Sequence, residues 1–107
     1  MSMTDYCVVV TTVAGEAKAR ALATAVLASR TAACVQWFAV ESMYLWKGAV
    51  ENEREILVQA KTTRDRCAAL QECIRNHHDY ETPEIIVLPI TDGLPEYLDW
   101  IRGQTRP

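Results

Sequence analysis

An α+β fold, an antiparallel sheet with its helices on one side, is expected from three features of the sequence. Short β-branched runs alternate with segments of helical spacing, the elements fall in the order βαββαβ plus a terminal helix, and one long extended stretch is apolar on both faces. The 107 residues fit one domain, 1–107, because no break in composition divides them. Apolar residues make up 50% and charged residues 23%, a balance that can bury a core and argues against disorder.

The run from Tyr6 to Val10 is short and β-branched, as in a strand buried on both faces, and Thr11 and Thr12 are expected to close it. From Glu16 to Ser29, Ala19, Leu22, Ala23, Val26 and Leu27 recur at helical spacing among further alanines, the strongest helix formers. Val35 to Trp46 reads as a long strand, with Val35, Trp37, Ala39, Met43 and Leu45 on one face and Phe38, Val40, Tyr44 and Trp46 on the other. Lys47, Gly48 and Ala49 make a hairpin connection to a second long strand, where Ile56, Val58 and Ala60 alternate with Glu55, Gln59 and Lys61. Thr63 or Asp65 can cap a second helix that runs to about Asn76, with Cys67, Leu70, Cys73 and Ile74 as its inward stripe. Ile85 to Leu88 is a fourth strand, placed toward a sheet edge by Pro89, and Gly93 with Pro95 leads into a short helix over Glu96 to Arg102.

That order is the split βαβ, or ferredoxin-like, arrangement, in which both helices cover one face of the sheet and leave the other bare. The two-sided apolar character of the Val35 to Trp46 strand predicts that another copy of the chain covers the bare face, giving a homo-oligomer. A net charge of −3 and scattered arginines argue against nucleic acid as a partner. No apolar run reaches membrane-spanning length, and the opening Met-Ser-Met-Thr-Asp-Tyr lacks the basic and apolar regions of a signal peptide, so a cytoplasmic protein is expected.

Cys7, Cys34, Cys67 and Cys73 form no CxxC pair, and a reducing compartment would keep them as thiols, with Cys7 and Cys67 as small core residues. His77 and His78 are the only histidines, and adjacent imidazoles suit copper, nickel or zinc. Neighbours on a helix point about 100° apart, so the pair can share an ion only where the helix has ended. A cation at a helix carboxyl end accounts for them equally well without metal. Cys73 and His77, at i and i+4, lie on one helical face and could grip an ion at two points, while Cys73 also fits the apolar stripe. No nucleophile and base stand at a telling spacing, so an enzyme is not expected.

Five segments together resemble the CutA family across nearly the whole chain: RTAACV at Arg30 to Val35, SMYLWKG at Ser42 to Gly48, KTT at Lys61 to Thr63, HHDYETPEI at His77 to Ile85, and PEYLDWI near the end. The resemblance implies a tight homotrimer, similar in architecture to PII signalling proteins, with a role in tolerance of copper and other divalent cations. It places Trp46, Lys61, Tyr80, Glu81 and Glu84 around a cleft between subunits, and a PII-like module binding a small ligand or partner there is the alternative function. Cys34 stands where the family has its recurrent cysteine, available to a thiophilic metal or as a small packed residue. Asp79 replaces the family's usual proline, and Gln36 its common asparagine. Members assigned a copper site resemble one another in a cysteine at the end of the first strand plus a histidine pair. The matching positions here are Thr11, His77 and His78, and a hydroxyl is a poor substitute for thiolate, so weak metal binding through His77 or His78 is expected.

Overall fold

The computed structural model describes residues 5–106, so the opening residues 1–4, part of the stretch read above for a targeting signal, lie outside the described residues. The elements are β1 (Tyr6–Val13), α1 (Glu16–Ala28), β2 (Cys34–Trp46), β3 (Ala49–Thr63), a single 3-10 turn (Arg64–Arg66), α2 (Cys67–Asn76), β4 (Ile85–Ile90) and α3 (Pro95–Gln104). They build one sheet in the order β2-β3-β1-β4, antiparallel at every junction, which is the ferredoxin-like arrangement.

Several boundaries differ from the sequence reading. β1 continues through Thr11 and Thr12 to Val13, pairing with Val58, Leu57 and Ile56, because threonine is itself β-branched and the ladder offers it a partner. β3 starts at Ala49, well before its apolar alternation, since the Glu51 to Arg54 stretch is held by backbone pairing to β2 rather than by burial. Neither Thr63 nor Asp65 caps α2: the Thr63 hydroxyl donates to Asp65 Oδ1 at 2.6 Å, and the helix begins at Cys67 after the 3-10 turn. β4 runs through Pro89 as the outermost strand, where a missing N–H costs no ladder bond on the free side.

Alternation divides the sheet into two unlike faces. On one, Cys7, Val9, Val13, Val58 and Ala60 meet Leu22 and Val26 of α1 and Leu70 and Ile74 of α2 in a single buried core. Trp37 packs against that core, under the Arg20 guanidinium at 5.5 Å, so it belongs to the helix-covered face. The other face carries Val8, Val10, Phe38, Leu57, Ile86 and Leu88, related by the registers Val8↔Leu88, Val10↔Ile86 and Phe38↔Leu57. α3 reaches only one end of it, where Tyr97 lies under Lys61 and Tyr6 under Arg102. Phe38, Ile86 and Leu88 are left 50, 48 and 47% exposed.

Beyond the sheet, β2 and β3 project as a two-stranded arm bearing exposed Met43, Leu45 and Val50. Lys47 and Gly48 close it with positive φ values of 52° and 82°, the two-residue turn whose twist matches the strands.

Candidate functional site

The segment from His77 to Glu84 follows α2 and is pinned to the sheet by its own side chains. α2 ends at His77, whose N–H donates to the Ile74 carbonyl at 3.2 Å, and the ring of His77 stays exposed. Its Nδ1–H donates to the Cys73 carbonyl at 2.8 Å, and the same nitrogen lies 3.9 Å from Cys73 Sγ. His78 turns the opposite way: its side chain is 1% exposed. Its Nε2–H donates to the Thr12 carbonyl at 2.8 Å and its Nδ1 accepts the Tyr80 N–H at 3.1 Å. Those partners fix the neutral Nε2–H tautomer and occupy both ring nitrogens.

The Tyr80 ring lies 4.8 Å from that of His78, and its hydroxyl donates to Glu55 Oε2 at 2.8 Å. Glu55 is only 6% exposed, so the bond gives a buried carboxylate its donor. Burial first, and then the facing carboxylate, push the Tyr80 phenol well above the ordinary tyrosine range. Along the arm, Tyr44 donates to Glu53 Oε1 at 2.7 Å, and that carboxylate is the main reason its phenol is pushed up to about 12. Asp79 is ion-paired with Lys18, which lowers its carboxyl, and Glu81 lies 3.8 Å from Lys47.

Between this segment and the arm is a concavity of about 1010 Å³ whose lining includes Trp46, Tyr80, Glu81 and Glu84. The structure therefore joins four of the five cleft residues within one subunit. Lys61 is apart from them, roughly 40 Å along β3 from Ala49, the partner of Trp46, at about 3.4 Å per residue. It faces Tyr97 instead, with Nζ 3.4 Å from the phenol oxygen.

The sequence-selected metal donors are dispersed. Thr11 is fully buried on the helix-covered face, its hydroxyl without a hydrogen-bond partner. It neighbours Thr12, the anchor of His78, but offers no thiolate. Cys34 starts β2 opposite Lys61, toward the far end of the sheet from Thr12. Among the described residues, no group of three or more His, Cys, Asp or Glu side chains could hold a metal ion. His77 and His78 do not fit a shared ion as they stand, because one ring is exposed beside Cys73 and the other is enclosed by backbone partners. The pair that does come together is Cys73 with His77. Sequence reasoning missed Glu55 as the partner of Tyr80, and no local signal could have supplied it, since 25 positions separate them.

The family model described as CutA1 divalent ion tolerance protein matches residues 7–104. The divalent-cation tolerance protein CutA of Citrobacter koseri is 41% identical over 107 residues, an alignment covering 99% of this chain and 93% of that protein. Among solved structures, CutA from Synechococcus elongatus is similar with a TM-score of 0.93 at 34% identity, covering 99% of this chain and 95% of that one. The protein from Archaeoglobus fulgidus named Periplasmic divalent cation tolerance protein CutA gives 0.92 at 31% identity, covering 94% and 99%. Sequence and fold agree over nearly the whole length, and the chain belongs to the CutA1 divalent ion tolerance protein family.

Proposed function

We propose that this chain works as a homotrimeric cation-tolerance protein of the cytoplasm, with copper as its metal, and that it binds rather than transforms its ligand. Family membership supports the link to divalent cations. The observation that carries the assembly is the exposed apolar sheet face of Phe38, Ile86 and Leu88, with Met43, Leu45 and Val50 exposed on the opposite face of the arm. Solvent is a poor partner for a patch of that extent, and edge strands β2 and β4 leave backbone groups free for pairing with further copies. Binding rather than catalysis is supported by the donor set of the concavity, where phenols are tied to carboxylates and no nucleophile faces a base.

Two measurements test this reading. Sedimentation equilibrium of tag-free protein is expected to give three times the chain mass at micromolar concentration; a folded monomer would overturn the assembly. A strain lacking the protein should become copper-sensitive and be rescued by the wild-type chain, with fractionation finding it in the cytoplasm. Unchanged copper tolerance would overturn the functional role. No helix among the described residues is long and apolar enough to cross a membrane.

A further inference from the structure

We infer that the concavity between the arm and the His77 to Glu84 segment binds a linear aliphatic polyamine, an assignment independent of the copper reading. Three of its carboxylates come from one strand. Glu51, Glu53 and Glu55 alternate along β3 and share the face of Tyr44 and Trp46, as the registers Tyr44↔Glu51, Ser42↔Glu53 and Val40↔Glu55 require. Residues two apart on a strand are about 6.8 Å apart, so these side chains make a row of negative charge rather than a single point.

The most enclosed of the three lacks a cation. Glu55 is 6% exposed, lines the concavity, and accepts a hydrogen bond from the neutral Tyr80 phenol on Oε2. A carboxylate withdrawn from water needs a compensating positive charge or several donors, and one phenol supplies neither. Among the described residues no ion pair reaches Glu51, Glu53 or Glu55, since Lys18 is engaged with Asp79, Arg54 with Glu41 and Lys47 with Glu81. The Tyr44 phenol reports the resulting negative potential: it is raised first by its bond to Glu53, and the charges of Glu55 and Glu51 add to the effect.

The spacing favours an elongated organic cation over a metal ion. A hard divalent ion needs about six oxygens converging at about 2.0–2.6 Å, and among the described residues no group of three or more potential metal-holding side chains converges. A chain whose ammonium groups are separated by methylenes can instead meet the carboxylates one by one and lay its hydrocarbon against the aromatic rings. Lys47 already makes the contact such a ligand would make. Its Nζ lies 5.6 Å from the centre of the Trp46 ring and 3.8 Å from Glu81 Oε1, an alkylammonium held between an aromatic face and a carboxylate. The Lys47 and Glu81 side chains are 70 and 72% exposed, so this pair is weak and a ligand ammonium can replace Lys47. The polyamine then runs from Glu55, beside Tyr80, past Glu53 and Glu51 to the indole of Trp46.

The test is isothermal titration of tag-free, metal-free protein with spermidine, with n-butylamine as the single-ammonium comparison. Spermidine is expected to bind at least about tenfold more tightly than n-butylamine, which can meet only one carboxylate at a time. The double variant Glu51→Gln, Glu53→Gln should lower spermidine affinity about tenfold and Trp46→Ala about threefold. Lys47→Met should raise it about threefold by removing the competing ammonium, a gain that a merely structural role for Lys47 would not give. Equal affinities for spermidine and n-butylamine, wild-type affinity in the double variant, or displacement of spermidine by magnesium at equal ionic strength would each overturn the site, the last by showing a counterion atmosphere only. A wild-type chain that takes up no spermidine overturns it as well, whether solvent or another copy fills the concavity. The copper sensitivity of the deletion strain is read separately, so failure here leaves the tolerance reading standing.

Discussion

Tyr80 and Glu55 meet across the fold at 2.8 Å, and Glu55 is nearly enclosed. Removing the donor leaves a buried carboxylate unpaired, so Tyr80→Phe is expected to destabilise the chain by about 1–3 kcal/mol, read as a lower urea midpoint. Asp65 illustrates a surface case. Arg106 donates to both of its carboxylate oxygens at 3.0 and 3.1 Å, and Thr63 adds a third bond at 2.6 Å. Arg106 first, and then Thr63, hold the Asp65 carboxyl well below the usual range. A lowered folded-state pKa gives stabilisation that is complete above the unfolded value, about 3.9, and is lost as pH falls through the folded value. Solvent screening keeps the effect small at so exposed a site. The melting-temperature gap between wild type and Asp65→Asn should therefore be largest near neutrality and narrow below about pH 4.

At the scale of the element, the arm depends on a turn that the sequence supplies in a single Lys-Gly pair. Gly48 adopts φ +82°, open around its Cα but in the left-handed region. Gly48→Ala is expected to cost about 1 kcal/mol through backbone strain alone, since no side chain stands where the new methyl would go. Chemical denaturation measures the cost. α2 shows a second element-level device. Its last turn sends His77 toward Cys73 and His78 toward Thr12, so the helix end serves one exposed and one buried ring with consecutive residues.

For the whole molecule, the decisive feature is the asymmetry of the sheet. α1 and α2 seal one face, α3 covers only one end of the other, and the remaining strip of that face, with Phe38, Ile86 and Leu88, stays open. Phe38 stands in that strip, whereas Trp37 beside it packs toward the helices. Phe38→Arg should dissociate the proposed trimer in sedimentation experiments, because an unpaired charge buried at an interface costs about 3–5 kcal/mol. Trp37→Arg should instead unfold the subunit, as its ring packs against the core under Arg20. Dissociation without unfolding in Trp37→Arg would show that the two faces have been assigned the wrong way round.

Periodicity, turn residues and the position of Pro89 were enough to read the order of elements, the helical stripes of α1 and α2, the hairpin and the edge strand, because each depends on neighbours within a few residues. The same local logic found the Cys73–His77 pair, since residues four apart on a helix must share a face. It could not decide which face of β2 looks inward, as both are apolar and only packing of Trp37 against the helix-covered core breaks the tie. Nor could it separate the two histidines. Their different fates are set by the Thr12 carbonyl and the Tyr80 N–H, and the first of these lies 66 positions away in the chain. The ends of β1 and β3 were equally hidden, because backbone pairing extends a strand wherever a partner is available, whatever the side-chain pattern says. Local sequence thus determined the elements and one candidate ligand pair, while contacts distant in the chain decided which polar groups are enclosed, which are free, and which surface is left for another copy to cover.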